Sequence, residues 1–271
     1  MKIEVLFSEA CNLFGDLGNV HYLQKTLPQA EFIFTPLHGA PAFPTQEIDL
    51  IYLGSMTERT QVRAIEKLRP YKAELQRQIA RGTAFLCTGN ALEIFGEVIE
   101  EENGQRIPAL GIFPSVARRD RQNRHNSAFL GSFEGMKIMG FRSQFSMSYL
   151  QNHTATGLFR VEKGIGLNRD AVFEGVRLNR FFGTYLLGPL LVQNPPFTRY
   201  LLRLIGAGDT PLAFELAIDA AYTARLAEFE ADAFVAEKVV NDNNLPCLFQ
   251  KNTKKKSKFS MIEPKGIGGS I

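Results

Sequence analysis

The chain has 271 residues (30.3 kDa), 45% apolar and 22% charged, a globular composition long enough to bury a core without staples. No run reaches the ~18–20 apolar residues that span a bilayer, and the start lacks the apolar core and small-residue cleavage site of a secretory leader, so a cytoplasmic protein is expected. The net charge of +3 sits in residues 251–271, where six lysines face one glutamate and leave −2 on the remainder. With no tryptophan and no basic stripe interleaved with aromatics, that tail reads as a solvated end and nucleic acid is not an expected partner. Cys11, Cys87 and Cys247 are too few and too widely spaced for a disulfide framework.

The opening Lys2–Phe7 reads as a strand, followed by a polar loop over Asn12–Asn19 and a short helix from Val20 to Leu27 that Pro28 stops. Phe32–Phe34 and Leu50–Leu53 are short apolar runs of the kind buried in parallel sheets. Thr57–Ala80 has helical periodicity, with Pro70 predicting a kink or two consecutive helices, and Ala84–Leu86 is a further buried strand. Beyond Gly96 come an acidic turn-like stretch (Glu97–Gln105), a polar arginine-rich loop (Arg118–Asn126) and β-rich runs from Met136 to Leu186, with a hairpin turn at Gly164–Asn168. Two helices are predicted last, over Phe197–Leu204 and from Pro211 to about Val239. Strands alternating with helices give an α/β fold with a mostly parallel central sheet flanked by helices. One domain over residues 1–240 and a lysine-rich tail over 241–271 are expected.

The most informative segment is Phe85-Leu86-Cys87-Thr88-Gly89-Asn90, which puts a cysteine between a buried strand and a helix start. A sharp strand-to-helix turn would lift a nucleophile clear of the sheet, and the helix start would favour a thiolate and a developing oxyanion. The plainer alternative is a small buried side chain. Asp49–Ser55 is a second strand running into a small-residue loop, so the backbone N–H groups of Gly54 and Thr88 are the expected oxyanion donors; Gly54 otherwise only permits a tight turn. There is no P-loop, no dinucleotide fingerprint and no zinc-ligand spacing, so no cofactor or metal is expected.

Four segments in order resemble the class I glutamine amidotransferase-like family of the cobyric acid synthase type: Asn12–Asn19, Leu53–Arg59, Leu86–Gly89 and Gly183–Pro189. The resemblance covers roughly residues 1–230 and implies a three-layer, flavodoxin-like fold with a nucleophile elbow. It implies that Cys87 attacks the side-chain amide of glutamine and releases ammonia, and that Arg124 holds the substrate carboxylate with Arg121 as competitor, unless Arg118, Arg119, Arg121 and Arg124 only solvate a loop. It further implies a heterodimer with a Mur-ligase-like, ATP-dependent synthetase that amidates lipid II.

The sequence departs from the family around this site. Leu187 stands where the family's Gly-Thr-Tyr-Leu-His-Gly-Pro block has its general base, and leucine can neither take a thiol proton nor protonate leaving ammonia. The family's three consecutive glycines have become Gly54-Ser55-Met56, and its Gly-Phe-Glu-x-His stretch has become Gly140-Phe141-Arg142-Ser143-Gln144. His125 and His153 are the candidates to replace the lost base. The alternatives are a catalytically impaired partner-binding or regulatory subunit, or a cobyric-acid-pathway relative.

Overall fold

The computed structural model describes residues 1–151, 155–231 and 237–241. The first half contains β1 (Lys2–Leu6), α1 (Gly18–Thr26), β2 (Glu31–Thr35), β3 (Leu50–Leu53), α2 (Glu58–Leu68), α3 (Lys72–Arg81), β4 (Ala84–Thr88) and the single turn α4 (Ala91–Ile94). Then come β5 (Val98–Glu100), β6 (Arg106–Pro108), β7 (Ser115–Arg119), β8 (Asn123–Phe133), β9 (Met136–Gln144), β10 (Ser146–Leu150), β11 (Thr156–Lys163), β12 (Phe173–Leu178) and β13 (Phe181–Thr184). The chain continues through α5 (Leu190–Gln193), α6 (Pro195–Leu204), α7 (Glu215–Glu230) and β14 (Glu237–Asn241).

The central sheet runs β14-β8-β11-β12-β13-β4-β3-β1-β2, with β9 paired to β8. Its half from β13 to β2 is parallel throughout. The order β2-β1-β3-β4-β13 is the doubly wound arrangement in which ligands sit beyond the carboxyl ends of the strands, where the winding reverses. From β13 to β14 every pairing is antiparallel, so the expected parallel character holds for the five strands from β13 to β2 and stops there. A second sheet, β10-β7-β5-β6, packs beside it.

Alternation along the strands explains the layering. Ile3, Val5, Leu50, Tyr52, Ala84 and Leu86 share one core with Val20 and Leu23 of α1 and Leu201 and Leu202 of α6. On the other face Ile51, Leu53, Phe85 and Cys87 pack with Ala64 and Ile65 of α2 and Leu75 and Ile79 of α3. The helical segment does break at Pro70, which lies in a 3₁₀ turn between α2 and α3. Thr57 caps α2 by accepting the Thr60 N–H at 3.2 Å, and Gly82, at φ +92°, ends α3 in the left-handed conformation.

Three expectations change. The arginine-rich stretch Arg118–Asn126 is two strand ends around a turn: β7 closes at Arg119 and β8 opens at Asn123, where long-range pairing with β9, β10 and β14 outweighs local polarity. The last helix occupies Glu215–Glu230, and Val239 lies in β14, paired with His125 of β8. The acidic Glu97–Gln105 stretch includes β5 and leads through a turn into β6. The expected Gly164–Asn168 turn does join an antiparallel pair, β11 and β12. Residues 242–271, most of the proposed tail, lie outside the described residues.

Phe133, Phe159, Phe182, Phe197 and Tyr200 interlock, mostly edge to face, with centroids 5.0–6.3 Å apart. They join the antiparallel half of the sheet to α6. Phe197 is fully buried, so Phe197→Ala is expected to cost about 3–5 kcal/mol and to lower the urea midpoint without changing the far-ultraviolet spectrum of the folded state.

Candidate functional site

Four loops leave the carboxyl ends of β1, β3, β4 and β13 and meet at the buried carboxylate of Asp16. Its Oδ1 accepts the Gly188 N–H at 2.7 Å and the Asn19 side-chain amide at 3.4 Å. Its Oδ2 accepts the Thr88 hydroxyl at 2.6 Å and the Ser55 N–H. The Tyr52 hydroxyl donates to the Asp16 carbonyl at 2.9 Å. Burial pushes the Asp16 carboxyl above its ordinary range, while these hydrogen bonds pull it back. Asp16 is part of the motif that carried the family resemblance, yet nothing in the sequence shows that it would tie together loops so far apart along the chain.

Cys87 is not at the elbow. It is the fourth residue of β4 and fully buried, on the sheet face shared with Phe85 and Leu53. Burial alone drives its thiol well above the ordinary range, so the expected helix-start activation is not realised. The turn is made two residues later by Gly89, at φ +59°. Glycine adopts this conformation without the strain that L side chains incur. A Cβ placed on Gly89 would lie 3.2 Å from Leu187 Cδ2 and 2.5 Å from Ser55 Cβ. The apex therefore faces the position where the family has its histidine, and the space its own side chain would need is filled by Ser55.

The two residues proposed as oxyanion donors lie close by in the fold. Gly54 is buried, and a Cβ built on it would lie 2.5 Å from the Cys11 carbonyl oxygen. Thr88 is a strand residue whose hydroxyl is committed to Asp16. Two backbone N–H groups of wall residues are already bonded: Ser55 N–H to Asp16, and Met56 N–H to the Asn90 side-chain oxygen at 3.0 Å. The Asn90 amide closes the ring by donating to the Met56 carbonyl at 2.8 Å.

Beyond the elbow lies a cavity of about 170 Å³ whose walls include Phe14, Met56, Glu58, Arg124, Phe145 and Leu187. The Arg124 guanidinium lies 4.4 Å from the Phe145 ring centre and 6.0 Å from that of Phe14, and its hydrogen bond to Ser143 Oγ is a long 3.4 Å. Arg124 and Leu187 are thus brought together. The other arginines are paired: Arg118 with Glu100, Arg119, which also lines the cavity, with Glu101 and Gln61, and Arg121 with Glu101 at 2.9 Å. Of the possible replacement bases, His125 is on β8 but not in the cavity wall, and His153 lies outside the described residues. Sequence reading passed over Gly89, Glu58, Phe14 and Phe145. For Gly89 a signal existed, a glycine directly between a buried strand and a helix.

The doubly wound sheet, with loops converging at its reversal point, defines an α/β protein that presents a small polar cavity at a strand-to-helix turn. Residues 2–195 match the CobB/CobQ-like glutamine amidotransferase domain, and the chain belongs to that family. It is 25% identical over 204 residues to the lipid II isoglutaminyl synthase (glutamine-hydrolyzing) subunit GatD of Staphylococcus aureus, covering 74% of this chain and 83% of that one. It is 24% identical over 205 residues to the subunit of the same name from Streptococcus pneumoniae, covering 72% and 76%. A solved glutamine amidotransferase structure overlays with a TM-score of 0.49 at 14% identity, covering 75% of this chain and 98% of that one.

Two outcomes follow from the geometry. Cys87 is expected to resist iodoacetamide at pH 7.5 in the folded protein, shown in a Cys247→Ser background, and to label only on addition of denaturant. Asp16→Ala leaves three or more buried donors without an acceptor, each worth about 1–3 kcal/mol. It is therefore expected to lower stability by at least 3 kcal/mol in urea titration, with Asp16→Asn intermediate.

Proposed function

We propose that this chain is the amidotransferase-fold subunit of an assembly that modifies lipid II, and that it does so without hydrolysing glutamine. The names of the two relatives support the first half of this reading. A partner subunit of the Mur-ligase type would supply ATP and the acceptor, because no nucleotide motif is present in this chain's sequence.

The second half rests on one observation: the elbow apex is Gly89, packed against Ser55 and Leu187. Hydrolysis through a thioester needs a sulfur that bonds to the amide carbon as the C–N bond breaks, a base for the thiol proton and an acid for the departing ammonia. At this apex there is no side chain to attack, and the facing residue is leucine. Cys87 lies inside the core, where thiolate formation is opposed by burial. Ser55 supplies a coupled argument. Where the family has glycine it carries a Cβ that occupies the volume a nucleophile on residue 89 would use, so the two positions have exchanged bulk. The reading in which Cys87 acts as a glutaminase nucleophile would require β4 to rotate that side chain out of the core.

The test is glutamate release from L-glutamine by the purified full-length protein beside Cys87→Ala. Both are expected at the reagent blank, since loss of a nucleophile in a coupled site costs on the order of 10⁶ in rate. Release that is abolished by Cys87→Ala overturns the proposal. The reciprocal variant, Ser55→Gly with Gly89→Cys and Leu187→His, restores both bulk and chemistry and is expected to raise glutamate release measurably above the unmodified chain.

A further inference from the structure

The strand β14 delivers the chain to the rim of the cavity. It pairs antiparallel with β8, Val240 standing opposite Arg124 and its last residue, Asn241, opposite Asn123. Arg124 belongs to the cavity wall, so residues 242–271 begin beside the cavity. A strand returns to one face of its sheet every second residue. One further step of β14 would therefore bring Asp242 onto the face of Arg124. It would be a diagonal neighbour at roughly 7–8 Å, within reach of a long side chain.

Three polar groups of the wall are short of partners among the described residues. Arg124 has two aromatic neighbours and one long hydrogen bond to Ser143, but no carboxylate. Glu58, in the first turn of α2, makes no hydrogen bond or ion pair with any described residue. Gln144 is buried, its amide nitrogen donates to the Ser146 carbonyl, and its Oε1 accepts no hydrogen bond. A buried acceptor without a donor is costly, so this wall is built for an occupant that brings an N–H. Beside these groups the Phe14 ring is 49% exposed.

The segment that follows β14 carries the complement of each. Asp242 suits the guanidinium, the apolar run Leu245–Phe249 suits the ring, and Lys251, Lys254 and Lys255 suit Glu58. Its main chain supplies amide donors for Gln144. A tail that is only solvated is low in such apolar residues. The tether favours this occupant over a separate molecule, because a segment a few residues from its site meets it at an effective concentration of order millimolar. The cavity, about 170 Å³, is smaller than the ~300 Å³ at which pockets for whole ligands begin, which suits a side chain inserted from a strand laid across the opening. We infer that residues 242–249 seat on the cavity of their own chain, with Asp242 on Arg124 and Leu245–Phe249 against Phe14. The protein thereby fills its own site and excludes soluble ligands from it.

Cys247, inside this segment, is the reporter. Its alkylation by iodoacetamide is followed by peptide mass spectrometry in the full-length protein and in a synthetic peptide of residues 242–258. Labelling is expected to be about tenfold slower or more in the protein, at a rate independent of protein concentration. Asp242→Lys, which cannot disturb the core, is expected to speed it about threefold, the size of a partly exposed ion pair. Arg124→Glu does the same, and the two combined return towards the native rate; near-ultraviolet circular dichroism confirms that each variant is folded. On mild oxidation Phe14→Cys is expected to form a disulfide with Cys247, whereas Leu216→Cys, at a position 90% exposed on α7, does not. Labelling of Cys247 at the peptide's rate overturns the inference, as does a rate unchanged by Asp242→Lys. Protection that grows with protein concentration assigns the contact to a second copy and overturns it too, as does a disulfide formed equally well from Leu216→Cys. Glutamate release plays no part in these readouts, so the proposed function stands or falls separately.

Discussion

One buried carboxylate organises the functional edge of this protein. Asp16 makes no ion pair with any described residue and accepts hydrogen bonds from Ser55, Thr88, Gly188 and Asn19. A carboxylate taken from water is costly unless its lone pairs are filled, so the segments at the carboxyl ends of β3, β4 and β13 must each deliver a donor for the fold to close. The same requirement fixes the cavity wall. Ser55 N–H points inward at Asp16, which turns its Cβ towards the elbow, and Gly188 N–H is drawn to Oδ1, which places Leu187 beside Gly89.

That arrangement keeps the family fold and places glycine at its strand-to-helix turn. A strand-to-helix elbow remains, complete with its left-handed apex, but the apex carries no side chain. The conformation that elsewhere is strained for a reactive residue costs little when glycine adopts it, and Ser55 occupies the vacated volume. Because position 55 gained bulk where position 89 has none, a single reversion at residue 89 would collide with Ser55 Cβ. Packing of Ser55 and Leu187 against Gly89 holds the turn in its present form.

Charge placement carries the other half of the functional reading. Arg118, Arg119 and Arg121 are paired with Glu100 and Glu101, so the arginine-rich stretch contributes one uncommitted guanidinium to the cavity rather than four. That guanidinium is positioned by aromatic faces, which orient it without neutralising it. Its position follows from an antiparallel extension of the sheet: β8 and β9 bring Arg124, Ser143 and Phe145 to the rim of loops that belong to the parallel half.

Much of this protein was legible from its residues alone. Short apolar runs between helical periods specify a buried parallel sheet, because strands covered on both faces need no polar alternation, and Pro70 and Gly82 place the helix break and stop through backbone sterics. The family blocks located the sheet edge at which the loops converge, and Leu187 and Arg124, both singled out in the sequence, line the same cavity there. What the linear sequence could not decide is which residue stands at the turn. Cys87 and Gly89 are two positions apart, and in a strand that spacing preserves the face of the sheet, so one more residue pair of β4 hydrogen bonding is enough to bury the cysteine and put glycine at the apex. Only the three-dimensional pairing of β4 with β3 and β13, and the convergence of distant loops on Asp16, settles where the strand ends and hence which side chain meets the cavity.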